Sequence, residues 1–388
     1  MLFVDDEPRV VEGLRKSLRQ YRQHWEVETA TSGADALLRL EAEPFDALVS
    51  DAQMPVMDGE HLLLSARDRW PGLLRVVLSG DVGREGTARL SGLCHHFIPK
   101  PVAVPMLHAR IEEALAARER LGSPRLKALV CRFGALPALP GTFAAVNQLL
   151  DSDATLDAFV QVVERDTAVC ANVLRAVNSA WFGLRTRVSS LREAVRLLGL
   201  RPLRDVVLAA EVFSGAAPGV EGLRRQALER LGALPGLLRL LGATELREDA
   251  ATALILADVG QLLLMLRAPE EAAVVERETA GGHDRVEVEN RVVGADHTLL
   301  GAVLMSIWNL PPSLVEAVAL HHAPRTGPVV RSLSSVLALI CAVQELAAGA
   351  GAGRERLHAR ARSLAAPFGV EDLDLLIAAF SLSKQEAA

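Results

Sequence analysis

The sequence predicts a doubly wound α/β domain with a parallel five-stranded sheet, followed by an all-α region. Five short apolar runs recur in the first part, and roughly 10–20 residues of helical period separate them, which is the length that a parallel crossover needs. From about Ser123 onward this rhythm stops, and apolar residues recur at spacings of three and four. Half of the 388 residues are hydrophobic, so two or three domains can each bury a core.

The apolar runs are the predicted strands, because each is short and is bounded by turn-forming or polar residues. The first run ends at Val4, and the later ones cover residues 25–29, 47–50, 74–78 and 96–99. The amphipathic stretches between the runs are the predicted crossover helices. The last helix of this domain includes residues 114–121, and Pro105 fits its first turn, where a missing amide donor costs nothing.

Ser123-Pro124 is the predicted boundary between the two halves, since the residue before a proline leaves the helical region. Residues 215–222 and 346–353 are rich in glycine and predict further breaks within the helical half. The final segment is expected to form helices that pack on the domain before it. The predicted domains are residues 1–121, 122–328 and 329–388.

Composition and charge exclude several classes of protein. A net charge of −6 and an aromatic content of 4% argue against general affinity for nucleic acid. The four cysteines lie far apart without a CxxC spacing, which predicts buried thiols in a reducing compartment. The sequence has neither a signal-peptide pattern nor an uncharged apolar run of about 18 residues. We therefore expect a cytoplasmic protein without a membrane span.

Polar residues follow four of the five predicted strands. Asp5 and Asp6 come after the first strand, Asp51 after the third, Ser79 after the fourth and Lys100 after the fifth. Because ligands of doubly wound sheets bind at the carboxyl ends of the strands, these side chains are expected to converge. Three carboxylates at one place need a cation, and oxygen ligands favour Mg²⁺. A lysine and a hydroxyl at the same rim would contact a phosphoryl group on Asp51.

Residues 1 to about 120 resemble the receiver domain of two-component response regulators, on the motifs LFVDDEP, LVSDAQMPVMDG, VVLSG and FIPKP. The resemblance implies a flavodoxin-like fold in which a histidine kinase phosphorylates Asp51. It implies that Asp6 binds Mg²⁺ directly, that Asp5 acts through water, and that the backbone carbonyl of Gln53 is a further ligand. It also implies that Ser79 and Lys100 contact the phosphoryl group, while Phe97 occupies the aromatic switch position.

A helix–turn–helix shape in the second half raises the alternative of a DNA-binding transcriptional regulator. Gly199 ends one helix, Pro202 begins another, and three arginines, Arg196, Arg201 and Arg204, surround the turn. The helix that follows is mostly apolar, however, and offers few side chains that could read base edges. Binding of nucleic acid is therefore not the favoured prediction.

Histidines and acids later in the chain raise a second alternative, a metal-dependent hydrolase. Residues 124 to 325 resemble the HDOD output domain, a relative of the HD phosphohydrolases, on the motifs LPALP, ERDTAVCANVLRAVNSAWFG, LREAVRLLGL, ALILADVGQLLLM and DHTLLGAVLMSIWNLP. The resemblance groups Asp258, His297, His321 and His322 as a residual HD-type cluster. Catalytic HD enzymes carry His before this Asp, whereas this chain has Ala257. No histidine replaces the first ligand between Ala227 and Ala243, so hydrolysis is disfavoured.

Together these patterns predict a bacterial response regulator whose partner is a sensor histidine kinase. Mg²⁺ is the expected cofactor, and the HDOD half is expected to act by binding a further protein, with a second copy of the chain as another candidate partner. A degenerate HD-type phosphohydrolase and a DNA-binding regulator are the alternatives.

Overall fold

The computed structural model describes residues 1–80, 90, 92–134, 136, 142, 145, 146, 149, 154–178, 186–199, 203, 219–323, 330–349 and 354–386. Three sequence-based predictions fall partly outside these residues: the Arg201–Arg204 turn, where only residue 203 is described, and the breaks at 215–222 and 346–353, where only 219–222 and 346–349 are described.

The first part is a five-stranded, fully parallel sheet in the order β2-β1-β3-β4-β5. The strands are β1 (Leu2–Val4), β2 (Glu28–Ala30), β3 (Ala47–Asp51), β4 (Leu74–Ser79) and β5 (His96–Pro99). Each of the five predicted runs overlaps a strand, so the predicted fold class is confirmed. The second strand lies slightly later than predicted, because Trp25 is buried against the core without joining the sheet.

Helices flank this sheet. The second half, in its described parts, consists of helices joined by turns and loops. The described helices of the first part are α1 (Pro8–Leu18), α2 (Gly33–Ala42), α3 (Gly59–Arg69) and α4 (Val104–Glu119). Those that follow are α5 (Pro124–Cys131), α6 (Leu156–Val163), α7 (Thr167–Asn178), α8 (Leu191–Leu198), α9 (Val220–Leu240), α10 (Arg247–Leu256), α11 (Val259–Arg267), α12 (Pro269–Ala280), α13 (Arg285–Val292), α14 (His297–Ile307), α15 (Pro312–Leu320), α16 (Leu333–Ala347), α17 (Arg354–Ala365) and α18 (Leu373–Glu386).

Local sequence explains where several of these helices begin. The side chains of Ser32, Asp58, Ser123 and Asp296 each accept a hydrogen bond from a backbone amide in the first turn of α2, α3, α5 and α14. Ser123 thus caps the helix whose first residue is Pro124. The backbone of Ser123 is extended, as expected for a residue that precedes a proline. The limits 1–121, 122–328 and 329–388 stay predictions.

The C-terminal segment is part of the helical core. Helix α16 is buried along nearly its whole length and contacts α10, α15, α17 and α18. The stretch Thr244–Arg267, which contains α10 and α11, is long and apolar enough to cross a membrane by length and composition alone. Within this stretch, 83% of the 18-residue segment that meets this criterion is buried inside the structure. The stretch is therefore buried like a core segment.

The sheet domain and the helical domain share one continuous apolar core. Helix α4 packs against α14, and the chain after α5 passes so closely over the loop before β5 that a Cβ on Gly134 would lie 2.3 Å from the Gly92 carbonyl oxygen. Arg187 forms an ion pair of 2.6 Å with Glu113 of α4. The first domain therefore packs on the second through the α4 side of the sheet.

Buried polar groups also join the two domains. The backbone amide of Arg75 in β4 donates to His95 Nδ1 at 2.9 Å, and His95 Nε2 donates to the Cys131 carbonyl oxygen at 2.8 Å. The Arg75 guanidinium donates to the carbonyl oxygens of Leu93, Cys131 and Arg132. These bonds satisfy carbonyl groups on both sides of the junction, so the side chain of Arg75 ties the sheet to the helical half.

We expect acid to destabilise this junction, because the buried His96 lies at the start of β5. Burial and the nearby guanidinium groups of Arg110, Arg175 and Arg187 lower the pKa of His96 from 6.5 to about 3. Below pH 6.5 the unfolded chain binds a proton at this residue that the folded chain does not bind until about pH 3. The free energy of unfolding should then fall by about 1.4 kcal/mol per pH unit from this group.

Urea unfolding of the wild type and of His96→Leu between about pH 6 and pH 4 measures this effect. The variant should lose stability less steeply with acidification than the wild type. His24→Leu, a change at an exposed histidine, is the matched control and should keep the wild-type slope. Equal slopes for the wild type and His96→Leu would contradict the prediction.

Candidate functional site

The carboxyl ends of four neighbouring strands form an acidic pocket. The strand order places β1, β3, β4 and β5 side by side, so the residues that follow or end them meet at one edge of the sheet. Asp5 and Asp51 are buried there, while Asp6 is half-buried. Carboxylate oxygens of these three residues lie within 4.8 Å of one another. The structure therefore brings together the acids that the sequence predicts to converge.

Lys100 bridges two of these carboxylates. Its ammonium group donates to Asp5 Oδ2 at 2.7 Å and lies 3.0 Å from Asp51 Oδ1. Asp51 Oδ1 also accepts a hydrogen bond of 2.8 Å from the Ala52 amide, and Asp5 Oδ1 accepts one of 3.0 Å from the Glu7 amide. These contacts fix the orientation of both carboxylates within the pocket.

The pocket changes the acid–base properties of its members. Burial raises the pKa of Asp51, an effect that the neighbouring Asp5 reinforces and Lys100 opposes. Burial would lower the pKa of Lys100, but its bonds to Asp5 and Asp51 raise it overall. Lys100 is thus held in its charged form, and Asp51 is a more basic carboxylate than a free aspartate.

The other predicted residues surround the same edge. Ser79 is the buried last residue of β4, and its hydroxyl donates to the Gly80 carbonyl oxygen at 3.4 Å. Phe97 is buried in β5, in the apolar cluster under α2 and α3. Gln53 lies two residues beyond Asp51 with an exposed side chain. Gly59, at the start of α3, is so close to Asp51 that a Cβ there would lie 2.3 Å from the Asp51 carbonyl oxygen.

The donor set of this pocket fits a hard divalent cation. Three carboxylates outnumber the one ammonium group, so the cluster carries an excess of negative charge that a cation would neutralise. The ligand atoms are all oxygens, which is the set that Mg²⁺ takes in proteins.

A second cluster lies in the helical domain, where α11, α14 and α15 meet. The Nε2 atoms of His297 and His321 are 3.4 Å apart, and Asp258 Oδ1 lies 3.7 and 3.9 Å from them. His322 is adjacent, with its ring 5.1 Å from that of His297. The structure therefore brings together all four residues of the predicted residual cluster.

Neighbouring groups orient the two inner histidines. Glu289 Oε2 accepts from His297 Nδ1 at 2.6 Å, and the Val318 carbonyl oxygen accepts from His321 Nδ1 at 2.7 Å. Burial would lower the pKa of His297, but Glu289 raises it overall. Burial and the neighbouring His297 lower the pKa of His321 to about 3.

Sequence reasoning missed the cation of this cluster, Arg230 of α9. Its Nη1 donates to Asp258 Oδ2 at 2.7 Å, and its Nε donates to Gln344 of α16. Burial would raise the pKa of Asp258, but the Arg230 guanidinium holds it well below its ordinary value. The signal was present in the sequence, since Arg230 falls in phase with the apolar face of α9 that includes Ala227, Ala233 and Leu237.

Family models match both halves of the chain. The response regulator receiver domain matches residues 1–112, and the HDOD domain matches residues 136–324. A response regulator receiver protein of Anaeromyxobacter sp. is 38% identical over 108 residues, which are 27% of this chain and 44% of that protein. An uncharacterised protein of Treponema pallidum is 26% identical over 196 residues, which are 49% of this chain and 38% of that protein. The chain thus spans less than half the length of both relatives.

Among solved structures, the chain is similar to the MmoQ response regulator of Methylococcus capsulatus. That likeness has 25% sequence identity and a TM-score of 0.49, and it covers 63% of this chain and 98% of that one.

The acidic pocket at the carboxyl edge of a β2-β1-β3-β4-β5 sheet, together with the match to the receiver model, defines the class of the first domain: it is a response regulator receiver domain. The particular architecture of the chain is a receiver domain followed by an HDOD domain.

Proposed function

We propose that a sensor histidine kinase transfers a phosphoryl group to Asp51 and that this transfer controls a non-catalytic, protein-binding output of the HDOD domain. One observation carries the proposal: Lys100 joins Asp51 to Asp5 at the carboxyl edge of the sheet. A nucleophilic carboxylate, a fixed ammonium group and an acidic cation site are the parts that phosphoryl transfer needs. We further propose a cytoplasmic location.

In the proposed transfer, a carboxylate oxygen of Asp51 attacks the phosphorus of a phosphohistidine. The new P–O bond forms as the P–N bond breaks, and the imidazole leaves with the bonding electron pair and takes up a proton. Lys100 moves its contacts from the carboxylates to the phosphoryl oxygens, where its charge stabilises the developing negative charge. The Ser79 hydroxyl contacts the same oxygens.

Asp5, Asp6, Asp51 and the backbone carbonyl of Gln53 would hold Mg²⁺. When bound, this ion neutralises negative charge on the transferring group. Ser79 and Phe97 lie on neighbouring strands, β4 and β5, and the loop that precedes β5 contacts the helical half at Gly92. A shift of Ser79 toward the phosphoryl group would therefore reach that junction through Phe97 and its neighbour His96.

The non-catalytic output is supported by the second cluster. Arg230 binds the carboxylate of Asp258, and Ala257 stands where catalytic HD enzymes carry a histidine. The contacts are those of a structural network, because each polar atom of the side chains of Asp258, His297 and His321 faces a protein group.

Arg196 is exposed beside the turn considered for DNA binding, but Arg201 and Arg204 lie outside the described residues.

Intact mass and size-exclusion light scattering of the full chain test the proposal. With Mg²⁺ and acetyl phosphate, the wild type should gain the mass of one phosphoryl group, whereas Asp51→Ala should gain none. Asp68→Asn removes an exposed carboxylate of α3 and is the matched control, which should label like the wild type. A wild type that stays unlabelled, or a label that persists in Asp51→Ala, would overturn the assignment. A change in assembly on adding beryllofluoride would identify a second copy of the chain as a partner.

A further inference from the structure

Three ligand atoms in the helical domain have the spacing of a metal site. Bonds of about 2.0–2.1 Å in a tetrahedral site place neighbouring nitrogen ligands roughly 3.4 Å apart. The Nε2 atoms of His297 and His321 are 3.4 Å apart, and Asp258 Oδ1 lies 3.7 and 3.9 Å from them. All three side chains are buried. The arrangement therefore approaches one triangular face of a metal-binding tetrahedron.

The surrounding hydrogen bonds have the pattern of an outer shell. Both histidines use Nδ1 to contact an oxygen acceptor, Glu289 for His297 and the Val318 carbonyl for His321. When the rings are neutral, these bonds assign the hydrogen to Nδ1 and direct the lone pair of each Nε2 into the same space. Such partners commonly fix the tautomer of metal-binding histidines.

Arg230 supplies a cation to this cluster already. Arg230 is 5% exposed, and its guanidinium group donates to Asp258 Oδ2 at 2.7 Å. Gln261 Nε2 donates to the other oxygen, Asp258 Oδ1, at 2.8 Å. Gln344 accepts from Arg230 and donates to the Gln226 carbonyl oxygen, so α16 keeps the guanidinium in place. Both oxygens of Asp258 are therefore engaged.

Charge opposes the entry of a second cation. Within the described cluster, the buried carboxylate of Asp258 faces Arg230, and that of Glu289 faces Arg285 at 3.9 Å as well as His297. A divalent ion among Asp258, His297 and His321 would lie next to the buried Arg230 guanidinium, and the low dielectric of the interior makes that repulsion strong.

We propose that Asp258, His297 and His321 form a latent three-ligand site for a transition-metal ion, which Arg230 closes by serving as its permanent cation. This inference concerns the helical domain alone and does not depend on phosphorylation of Asp51. It predicts that the wild type excludes metal because of one side chain. Removing the charge of Arg230 leaves a buried carboxylate beside two oriented imidazoles, which is a ligand set suited to Zn²⁺.

The test compares metal uptake by the full-length wild type with that of Arg230→Met, which keeps the apolar volume and removes the charge. After chelation, and dialysis against Zn²⁺ in a large excess of Mg²⁺ to fill the acidic pocket at Asp51, Arg230→Met should hold one equivalent of zinc, and its melting temperature should rise with Zn²⁺. The wild type, Arg230→Lys and the exposed control Arg225→Met should hold none and show no rise. The double variant Arg230→Met/His297→Ala should lose the zinc, which separates this site from adventitious binding.

Two results would overturn the inference. One is a wild type that takes up one equivalent of zinc and loses it on His297→Ala, since Arg230 would then not exclude the ion. The other is a folded Arg230→Met that takes up none. If Arg230→Met does not fold without metal, refolding in the presence and absence of Zn²⁺ provides the same comparison, and zinc-dependent recovery of the helical circular dichroism supports the proposal. Failure to recover in either condition counts against it.

Discussion

Lys100→Ala is expected to slow phosphorylation of the chain by acetyl phosphate by a factor of about 10²–10³, which is the usual loss when one preorganised donor to a developing charge is removed. Lys100 contacts Asp51 and Asp5 at 3.0 and 2.7 Å, so its ammonium group already lies where a phosphoryl group on Asp51 would need it. Without it, Asp51 also loses the partner that opposes the rise of its pKa. The rate is read by intact mass against time.

Two further variants separate chemistry from folding. Lys16→Ala removes a lysine from an exposed ion pair with Glu12 and should react like the wild type. Lys100→Arg keeps the positive charge but replaces a compact ammonium by a planar guanidinium, so we expect only partial recovery of the rate. If Lys100→Ala reacts at the wild-type rate while its thermal unfolding is unchanged, Lys100 has no part in phosphoryl transfer.

The fold of the first domain was largely predictable because parallel strands leave a strong local pattern. Strands such as β3 and β4 are buried along their whole length and therefore read as continuous apolar runs. The acidic pocket was predictable for the same reason, since its residues directly follow or end those strands. β2 was harder to locate, because only Ala30 in it is buried and the apolar signal came from Trp25, which packs on the core outside the sheet.

The contacts between distant segments were not predictable from local patterns. Arg75 lies within an apolar strand, where a buried guanidinium needs hydrogen-bond acceptors. The carbonyl oxygens of Cys131 and Arg132, from a distant segment that passes over the sheet edge, supply them. The same holds for Arg230, whose partners Asp258 and Gln344 lie 28 and 114 residues away. The periodicity of α9 is compatible with a core-facing Arg230, but it contains no information about which group the arginine meets.

Gly260→Ala is expected to destabilise the helical domain by about 3 kcal/mol or more, because overpacking against backbone cannot be relieved by a rotamer change. Helices α11 and α14 cross at this point, and a Cβ on Gly260 would lie 2.0 Å from the His297 carbonyl oxygen and 2.9 Å from the Gly301 amide nitrogen. The same close crossing holds Asp258, two residues earlier, beside His297. Alanine would therefore separate the two helices and disrupt the Asp258 cluster together with the core.

Gly232→Ala is the matched control and should change stability in the opposite direction. Gly232 lies exposed within α9, and a Cβ there would meet nothing within 4 Å. Alanine at such a helical position stabilises by about 0.5–1 kcal/mol, since glycine loses more backbone entropy on folding. Urea unfolding of both variants measures the contrast. If Gly260→Ala is as stable as Gly232→Ala, helices α11 and α14 do not cross as closely as the structure shows. The alignment of Asp258 with His297 depends on this crossing and would then be wrong as well.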